Sequence, residues 1–431
     1  MPKHWKQLKV ARDLQYTIGW TPPTANPANF DGAVPWVTIA DLGEPQVRTT
    51  QKGISKAALS ARGASLLPRG TLLMSFKLSV GLVSVLGLEA VTNEAIAAFK
   101  PNPRVDTRFL YYALPEFVPK YARENIYGAK LLNQDLIASA KTFVPPLEEQ
   151  RRIAAFLDYE TRRIDELVSE LEKFAFHAEE RRAAIIVAAV TGALRLTECG
   201  SNSGSRAYSD STPKATREAL QSVPRSWDVA RVADIASRRR EFGTPDMDLL
   251  SVFLDRGVVP YVMDGGQVHA PSDDLSTYQV VRRGDLVLNN QQAWRGSVGV
   301  SNYEGIISPA YVVLKLHYRQ HPGFMNYLVR SKVMVHQFEI ASRGVGDIQR
   351  QVYWPRLREC LVPLPSLEEQ QRICDFLDHE VGRLNTLLAE QARLISLLRE
   401  RRSALITSAV TGQIDVREWS PTDDLAVEEV A

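Results

Sequence analysis

At 431 residues the chain is too long for one hydrophobic core and implies two to four domains. Its 45% hydrophobic and 24% charged residues are ordinary for a soluble globular protein; the opening MPKHWKQLKV lacks a secretory apolar stretch, and the longest apolar run, near residues 79–91, is too interrupted by Gly and Ser to span a bilayer. The net charge of +2 hides an uneven distribution: residues 1–146 carry 17 Lys/Arg against 10 Asp/Glu and residues 223–366 carry 17 against 14, while residues 147–192 (7 against 10), 367–412 (6 against 7) and the tail after Gly412 (1 against 6) are acidic. Positive charge in two separate blocks is where a polyanion would bind, although the second block's excess also suits an ordinary surface. Cys199, Cys360 and Cys374 have neither metal nor disulfide spacing, which suits a reducing cytoplasm.

The first block, residues 1–146, opens on Pro2-x-x-Trp5. It continues through GTLLMSFKLSVG (70–81), an apolar strand and a polar turn, and FLYYAL (109–114), a short amphipathic helix. A stretch YGAKLLNQDL (127–136) and a final strand running into FVPPLEEQ complete it. Residues 147–192 then form a long helix, and residues 193–222, rich in Ser, Gly and Thr, read as a flexible linker. The second block, residues 223–366, echoes the first: Pro224-x-x-Trp227, GDLVLNNQQAWRGSVG (284–299), FMNYLV (324–329), SRGVGDIQRQ (342–351) and LVPLPSLEEQ. A second long helix covers 367–412, and residues 413–431 form an acidic, loosely held tail.

The two helical segments align at an offset of 220 with no gap, and 22 of 46 positions are identical. Loops tolerate insertions and helices in register do not, so a gapless match marks a rigid element whose length matters. Steps of seven give Leu157, Ile164, Leu171, Ala178 and Ile185 in one copy, and Leu377, Leu384, Gln391, Leu398 and Leu405 in the other. Companion positions are Ile153, Leu167, Phe174 and Ala188, and Ile373, Leu387 and Leu394. This is a heptad seam. Each helix stops at a TG pair, and about 40 residues of helix span roughly 60 Å. Two such helices in one chain can cover each other's apolar stripes. If they run antiparallel, Glu160 lies near Arg401 and Glu380 near Arg181, unless these side chains reach solvent. The fold class is therefore α+β: two mixed α/β domains joined and spaced by two long antiparallel helices forming a coiled coil, with a pseudo-two-fold internal repeat.

The doubled motif, PLEEQRRIAAFLD (146–158) and SLEEQQRICDFLD (366–378), each followed by E-R-R-x-A-x-I-x-x-A-V-T-G (180–192 and 400–412), resembles the specificity subunit of Type I restriction–modification systems over about residues 1–415. Ser366 in place of a Pro and Gly382 inside the second helix are the departures, and Gly382 is expected to bend or weaken that helix. The resemblance implies that the blocks are target recognition domains, each reading half of a bipartite, asymmetric site in double-stranded DNA. It implies that the helices space them and dock two methyltransferase subunits, which use S-adenosylmethionine to methylate adenine. Endonuclease and translocase subunits would then join to cut unmodified DNA. No cofactor is implied on this chain; S-adenosylmethionine, ATP and Mg belong to the partners.

Base readout needs Arg, Lys, Asn or Gln at groove edges, with phosphate contacts for positioning. Asn289, Asn290, Gln291, Gln292, Trp294 and Arg295 form such a turn, and its counterpart holds Ser75, Phe76 and Lys77. Further candidates are Lys130, Asn133 and Gln134, then Arg343, Gln349, Arg350 and Gln351. Individually each also suits an ordinary polar loop.

Catalytic signatures are missing. There is no G-x-x-x-x-G-K-[ST], no Asp/Glu-x-Lys and no N-P-P-Y or D-P-P-Y. His317 and His321 have no evident third ligand, so a structural role outweighs a metal site. Gly344 and Gly346 lack the strand–helix context of a nucleotide fingerprint. The chain reads as a non-catalytic DNA reader; a nuclease or methyltransferase with an atypical active site, and a coiled-coil protein without nucleic acid, are the rival readings.

Overall fold

The computed structural model describes residues 2–30, 32–124, 130–194, 213–262, 271–272, 274–317, 320–344 and 350–420. They fall into two compact units, residues 1–171 with 393–431 and residues 172–392. The division cuts both long helices instead of following the ends of the blocks. Each unit holds one α/β block, the start of the helix that follows it and the end of the other helix.

Each block closes on its own first and last strands. Lys6–Lys9 runs antiparallel to Lys141–Val144, and Asp228–Arg231 runs antiparallel to Leu361–Leu364. The prolines that follow cannot donate to a ladder, so pairing stops there and the long helix begins. The first block's main sheet has the strand order Tyr16–Ile18, Ile96–Phe99, Leu72–Ser75, Val83–Leu86, Gln46–Val47. The second block's is Ala236–Arg238, Tyr311–Leu316, Asp285–Asn289, Val298–Val300. Leu72 pairs with Val85 and Leu286 with Val300, so the turns leaving Ser75 and Asn289 occupy equivalent places.

The expected short helices are present, Thr107–Phe117 and Pro322–Arg330. Asp106 caps the first by accepting from the Arg108 amide at 2.9 Å and the Phe109 amide at 3.0 Å. His321 caps the second, its Nδ1 accepting from the Phe324 amide at 3.3 Å, so this imidazole is spent on structure. Both short helices are fixed to a long helix by the doubled motif. Gln150, buried, accepts from the Asp106 amide at 2.8 Å and donates to the Pro145 carbonyl at 2.9 Å. Gln370, buried, accepts from the His321 amide at 2.8 Å and donates to the Pro365 carbonyl at 2.9 Å. Two helical turns further on, the Tyr112 hydroxyl donates to Asp158 and the Tyr327 hydroxyl to Asp378, each at 2.7 Å. Burial raises the pKa of both tyrosines, and for Tyr327 Asp378 adds to the rise, so both remain donors. Ile153, Leu157, Ile373 and Leu377 fill the space between, all at most 2% exposed. Gln, Ile, Leu and Asp at i, i+3, i+7 and i+8 share one helical face, which explains why the motif has those residues at that spacing.

The long helices are Leu147–Val190 and Leu367–Val410, 44 residues each. In the first unit Ile153, Ala154 and Leu157 share a core with Ala409 and Val410, and Asp165 pairs with Arg402 at 2.8 Å, so the halves run antiparallel. In the second unit Ala189 and Val190 share a core with Ile373, Leu377 and Val381, and Arg182 donates to Asn385 at 2.7 Å, again antiparallel. Asp165 and Asn385, like Arg182 and Arg402, are matching positions of the repeat.

The seam is narrower than the heptad pattern suggests. Leu157, Ile164, Ala178 and Leu377 are buried, and Leu171, Ile185, Leu384, Leu398 and Leu405 are half-buried. The companions Leu167, Phe174, Leu387 and Leu394 are 39–52% exposed, because two helices bury one stripe between them and a second row needs a further surface. The expected cross-helix ion pairs do not form. Glu160 pairs with Arg163 at 4.0 Å and Glu380 with Arg383 at 3.2 Å, each on its own helix. With Asp165 opposite Arg402, Glu160 falls level with Thr407, about 9 Å past Arg401.

The linker and tail also differ from expectation where they are described. Lys214–Ala219 is helical, and Leu220 and Val223 are buried in the second unit's core; residues 195–212 lie outside the described residues. Val416 is buried, and Trp419 packs against Phe156 with ring centroids 5.4 Å apart. Residues 421–431 lie outside the described residues.

Each long helix stops on a left-handed glycine against the start of a block. A Cβ on Gly192 (φ +74°) would lie 2.3 Å from Pro224 Cδ, and one on Gly412 (φ +71°) would lie 2.5 Å from Pro2 Cδ. Gly382 meets nothing within 4 Å, and the second helix runs through it unbroken. Gly412→Ala is therefore expected to destabilise the protein by about 2 kcal/mol or more, and Gly382→Ala to stabilise it by about 1 kcal/mol. Urea unfolding followed by circular dichroism reads both, and equal effects of one sign would contradict this packing.

Candidate nucleic-acid interface

In the second unit the strand Asp285–Asn289 sets the position of the turn that follows it. The buried Asp285 carboxylate accepts two hydrogen bonds from Arg239, at 2.6 and 2.9 Å, and one from the Arg282 amide at 2.8 Å. The hydrogen bond to Asp285 raises the Arg239 pKa, so the guanidinium stays charged. Beyond the strand, Asn289 Oδ1 accepts from the Gln291 amide at 3.0 Å, and the Trp294 indole donates to the Gln291 carbonyl at 2.9 Å. A short 3-10 turn, Ala293–Arg295, ends at Gly296 with φ +106°. The hydrogen bonds within the turn are satisfied locally, which leaves its outer side chains free to meet a ligand.

A second segment joins this turn. The Val352 amide donates to the Asn290 carbonyl at 2.9 Å, and the strands Ser342–Arg343 and Gln351–Val352 pair antiparallel. The Trp294 ring then has two guanidinium groups over it, Arg295 at 4.7 Å and Arg350 at 5.1 Å from its centroid. Arg343 lies 3.8 Å from the Tyr353 centroid and Arg238 5.3 Å from that of Trp354. Arg350 also pairs with Glu339 at 3.0 Å, whereas Arg295 and Arg343 have no carboxylate partner among the described residues. Asn290 Oδ1 is buried without a hydrogen-bond partner among them. Stacking on an aromatic face holds a guanidinium plane while its edge donors stay available, the arrangement that suits phosphate and guanine recognition.

The two candidate stretches of the second block, Asn290, Gln291, Gln292, Trp294 and Arg295, and Arg343 and Arg350, thus converge. Gln291, Arg295, Arg343 and Gln351 are exposed. Gln349 lies outside the described residues. Arg238, Tyr353 and Trp354 belong to the same cluster and were not singled out in the sequence; the run Arg238–Arg240 beside an aromatic pair elsewhere was the available signal.

In the first unit the candidates do not gather in the same way. Lys77 is exposed, its Nζ 5.9 Å from the Phe76 centroid, but Ser75 and Phe76 are buried. Asn133 caps the helix Gln134–Ser139, its Oδ1 accepting from the Leu136 amide at 2.8 Å, so that side chain is structural. Gln134 is exposed, and its carbonyl accepts from the Tyr16 hydroxyl at 3.2 Å. Lys130 begins a two-residue strand paired to Arg123–Glu124, and its side chain lies outside the described residues.

Among the described residues no group of three or more His, Cys, Asp or Glu could hold a metal ion, and no helix is long and apolar enough to cross a membrane. The buried thiols of Cys360 and Cys374 are pushed up to about 12 by burial, which keeps them protonated and unreactive. The first unit has a cavity of about 530 Å³ beside Tyr112, Asp158 and Arg402, and the second one of about 410 Å³ beside Tyr327, Arg330 and Asn385.

Residues 15–173 match the family described as the Type I restriction modification DNA specificity domain. The MjaIX specificity subunit of Methanocaldococcus jannaschii is 22% identical over 61% of this chain, and the match spans 58% of that relative's length. The MjaVIII specificity subunit of the same organism is 19% identical over 97% of this chain and 94% of the relative. A chain from a solved structure concerned with complex assembly and conformational transition of the type I R-M system shares the fold, with a TM-score of 0.65, 15% identity, and coverage of 96% of this chain and 99% of that one. The resemblance read from the doubled motif therefore holds in sequence and in fold.

The Arg239–Asp285 pair supports the strand that launches the turn. Asp285→Ala is expected to destabilise the second unit by about 1–3 kcal/mol, because the buried Arg239 guanidinium loses two carboxylate hydrogen bonds and keeps the one to Glu241 at 2.7 Å. Hydrogen exchange across residues 285–300 should accelerate while the first unit keeps its protection; unchanged exchange there would contradict this role.

Proposed function

We propose that this chain, akin in sequence and fold to Type I specificity subunits, is the DNA-reading subunit of such a restriction–modification complex and performs no catalysis itself. Each block reads one half of a bipartite, asymmetric site in double-stranded DNA. The paired helices set the distance and phase between the readers. The observation that carries this reading is the repeated attachment: two unlike blocks are bound to matching positions of matching helices by the same three kinds of side chain, Gln150 with Tyr112–Asp158 and Gln370 with Tyr327–Asp378.

The mechanism follows from that attachment. Long-range attraction to phosphates brings the basic blocks onto the duplex. In the second block Arg343 and Arg295, with no competing carboxylate among the described residues, are free to exchange water for phosphate or base edges, and Gln291 and Gln292 supply amide donors and acceptors. The reading faces of a duplex recur about every 34–36 Å, so two readers of a split site need a spacer that neither stretches nor rotates. Helices held by buried hydrogen bonds at their starts meet that need. Chemistry is supplied in trans, by two modification subunits that use S-adenosylmethionine and by restriction subunits that use ATP and Mg. The exposed apolar side chains on the helices, Leu167, Leu394 and Leu397 in the first unit and Phe174, Phe176 and Leu387 in the second, offer each modification subunit a row to cover.

Two measurements test this. Arg295→Ala and Arg343→Ala should each lower DNA affinity and reduce the slope of log K against log salt by about one. The purified chain with S-adenosylmethionine should leave DNA unmodified, and sequencing of a host that also carries the modification partners should reveal methylated adenines in one bipartite motif. Methylation or Mg-dependent cleavage by the chain alone would overturn the reading.

A further inference from the structure

The two equivalent turns carry different chemistry. Each leaves a buried central strand, at Ser75 and at Asn289, and ends at a glycine of positive φ, Gly81 (+94°) and Gly296 (+106°). The second block offers Gln291, Trp294 and Arg295 there. The first offers Lys77 and Leu78. Leu78 is 93% exposed and lies at φ +61°, the one positive-φ residue other than glycine among the described residues. A left-handed backbone costs an L-residue roughly 1–2 kcal/mol. A leucine in water recovers none of that through burial. A residue that is both strained and exposed serves nothing in the isolated fold, and strain of this kind concentrates where a ligand is met.

The turn holds Leu78 out firmly. The buried Ser75 hydroxyl accepts from the Leu82 amide at 3.1 Å and donates to the Ser79 carbonyl. The Gly81 amide donates to the Ser75 carbonyl at 2.9 Å and the Val80 amide to the Leu78 carbonyl at 3.2 Å. Lys77, exposed beside it, suits a phosphate, and the block carries 17 Lys/Arg against 10 Asp/Glu, so the surface that Leu78 leads onto is attractive to a polyanion.

We infer that Leu78 is a specificity-determining residue of the first block and reads the 5-methyl group of a thymine in the major groove. This rests on the DNA-reading function proposed above and deepens it. The thymine methyl is the apolar feature of a base-pair edge, and apolar side chains are what recognise it. A wedge driven between base pairs is the other use of a leucine. Leu78 is flanked by the cation Lys77 and by Ser79, and the apolar side chains that follow are far less exposed, Leu82 at 37% against 93%, so one apolar tip stands out, which favours the groove edge.

The test uses the full chain assembled with its modification partners. Sequencing the methylated DNA of a host carrying both gives the motif. Leu78→Gly then deletes the side chain while relieving the backbone, so loss of folding does not confuse the result. Replacing the half-site thymines one at a time by deoxyuridine should weaken wild-type binding about fourfold at one position, the worth of one buried methyl group, and leave Leu78→Gly binding unchanged. The variant should also accept other bases at that position while keeping the half-site read by the second block. If no deoxyuridine substitution affects the wild type, or if Leu78→Gly retains the same dependence, the inference is wrong. A rise in 2-aminopurine fluorescence with no deoxyuridine effect would replace it with a wedge. Failure of the underlying function is distinguishable, because the wild type would then show no motif at all.

Discussion

Everything in this chain depends on how a short helix is fixed to a long one. A buried glutamine reaches from the first turn of the long helix to the cap of the short helix, and a tyrosine hydroxyl on the short helix meets an aspartate two turns further along. Buried amides such as Gln150 and Gln370 are costly to leave unpaired, so the joint is satisfied in one geometry and poorly in any other. Directional bonds between two rigid elements fix an angle as well as a distance. Apolar contact between Leu157 or Leu377 and the short helix would hold the pieces together and still let them slide. A reader that must meet base edges in a particular groove needs the angle.

The repeat separates what must stay the same from what must change. The attachment, the stop at a left-handed glycine and the antiparallel contact of Asp165 with Arg402, or Asn385 with Arg182, recur at matching positions. The turns on the equivalent strands do not. One is a polar, aromatic platform with guanidinium groups stacked on Trp294 and Tyr353; the other is a tight loop that holds out a lysine and a strained leucine. Matching attachments with unlike tips suit an asymmetric target.

Much of this was legible in the sequence because it depends on periodicity and spacing. A gapless match over 46 positions with a sustained heptad marks a rigid helical element, and FLYYAL and FMNYLV were readable as short amphipathic helices. What was not legible depends on contacts between distant residues. No local signal shows that Arg350 shares Trp294 with Arg295, or that Asn133 is consumed as a helix cap. The pairing of Glu160 with Arg401 failed because the helices meet in a different register, set by Asp165 and Arg402. Leu167, Phe174, Leu387 and Leu394 fit the heptad and still face outward, since periodicity says which residues share a face and not how many faces find a partner. Leu78 follows Lys77 in the same turn, and nothing in the sequence shows that its backbone is left-handed or its side chain exposed.

In the proposed function the helices act as a spacer between unlike readers. A seven-residue insertion after Lys173, matched by one after Arg393, preserves the heptad in both helices and lengthens each by about 10 Å. Sequencing of methylated DNA from a host carrying the lengthened chain and its partners should return the same two half-sites separated by a gap about three base pairs longer, at 3.4 Å per pair. An unchanged gap, or altered half-site sequences, would show that the helices do not set the spacing.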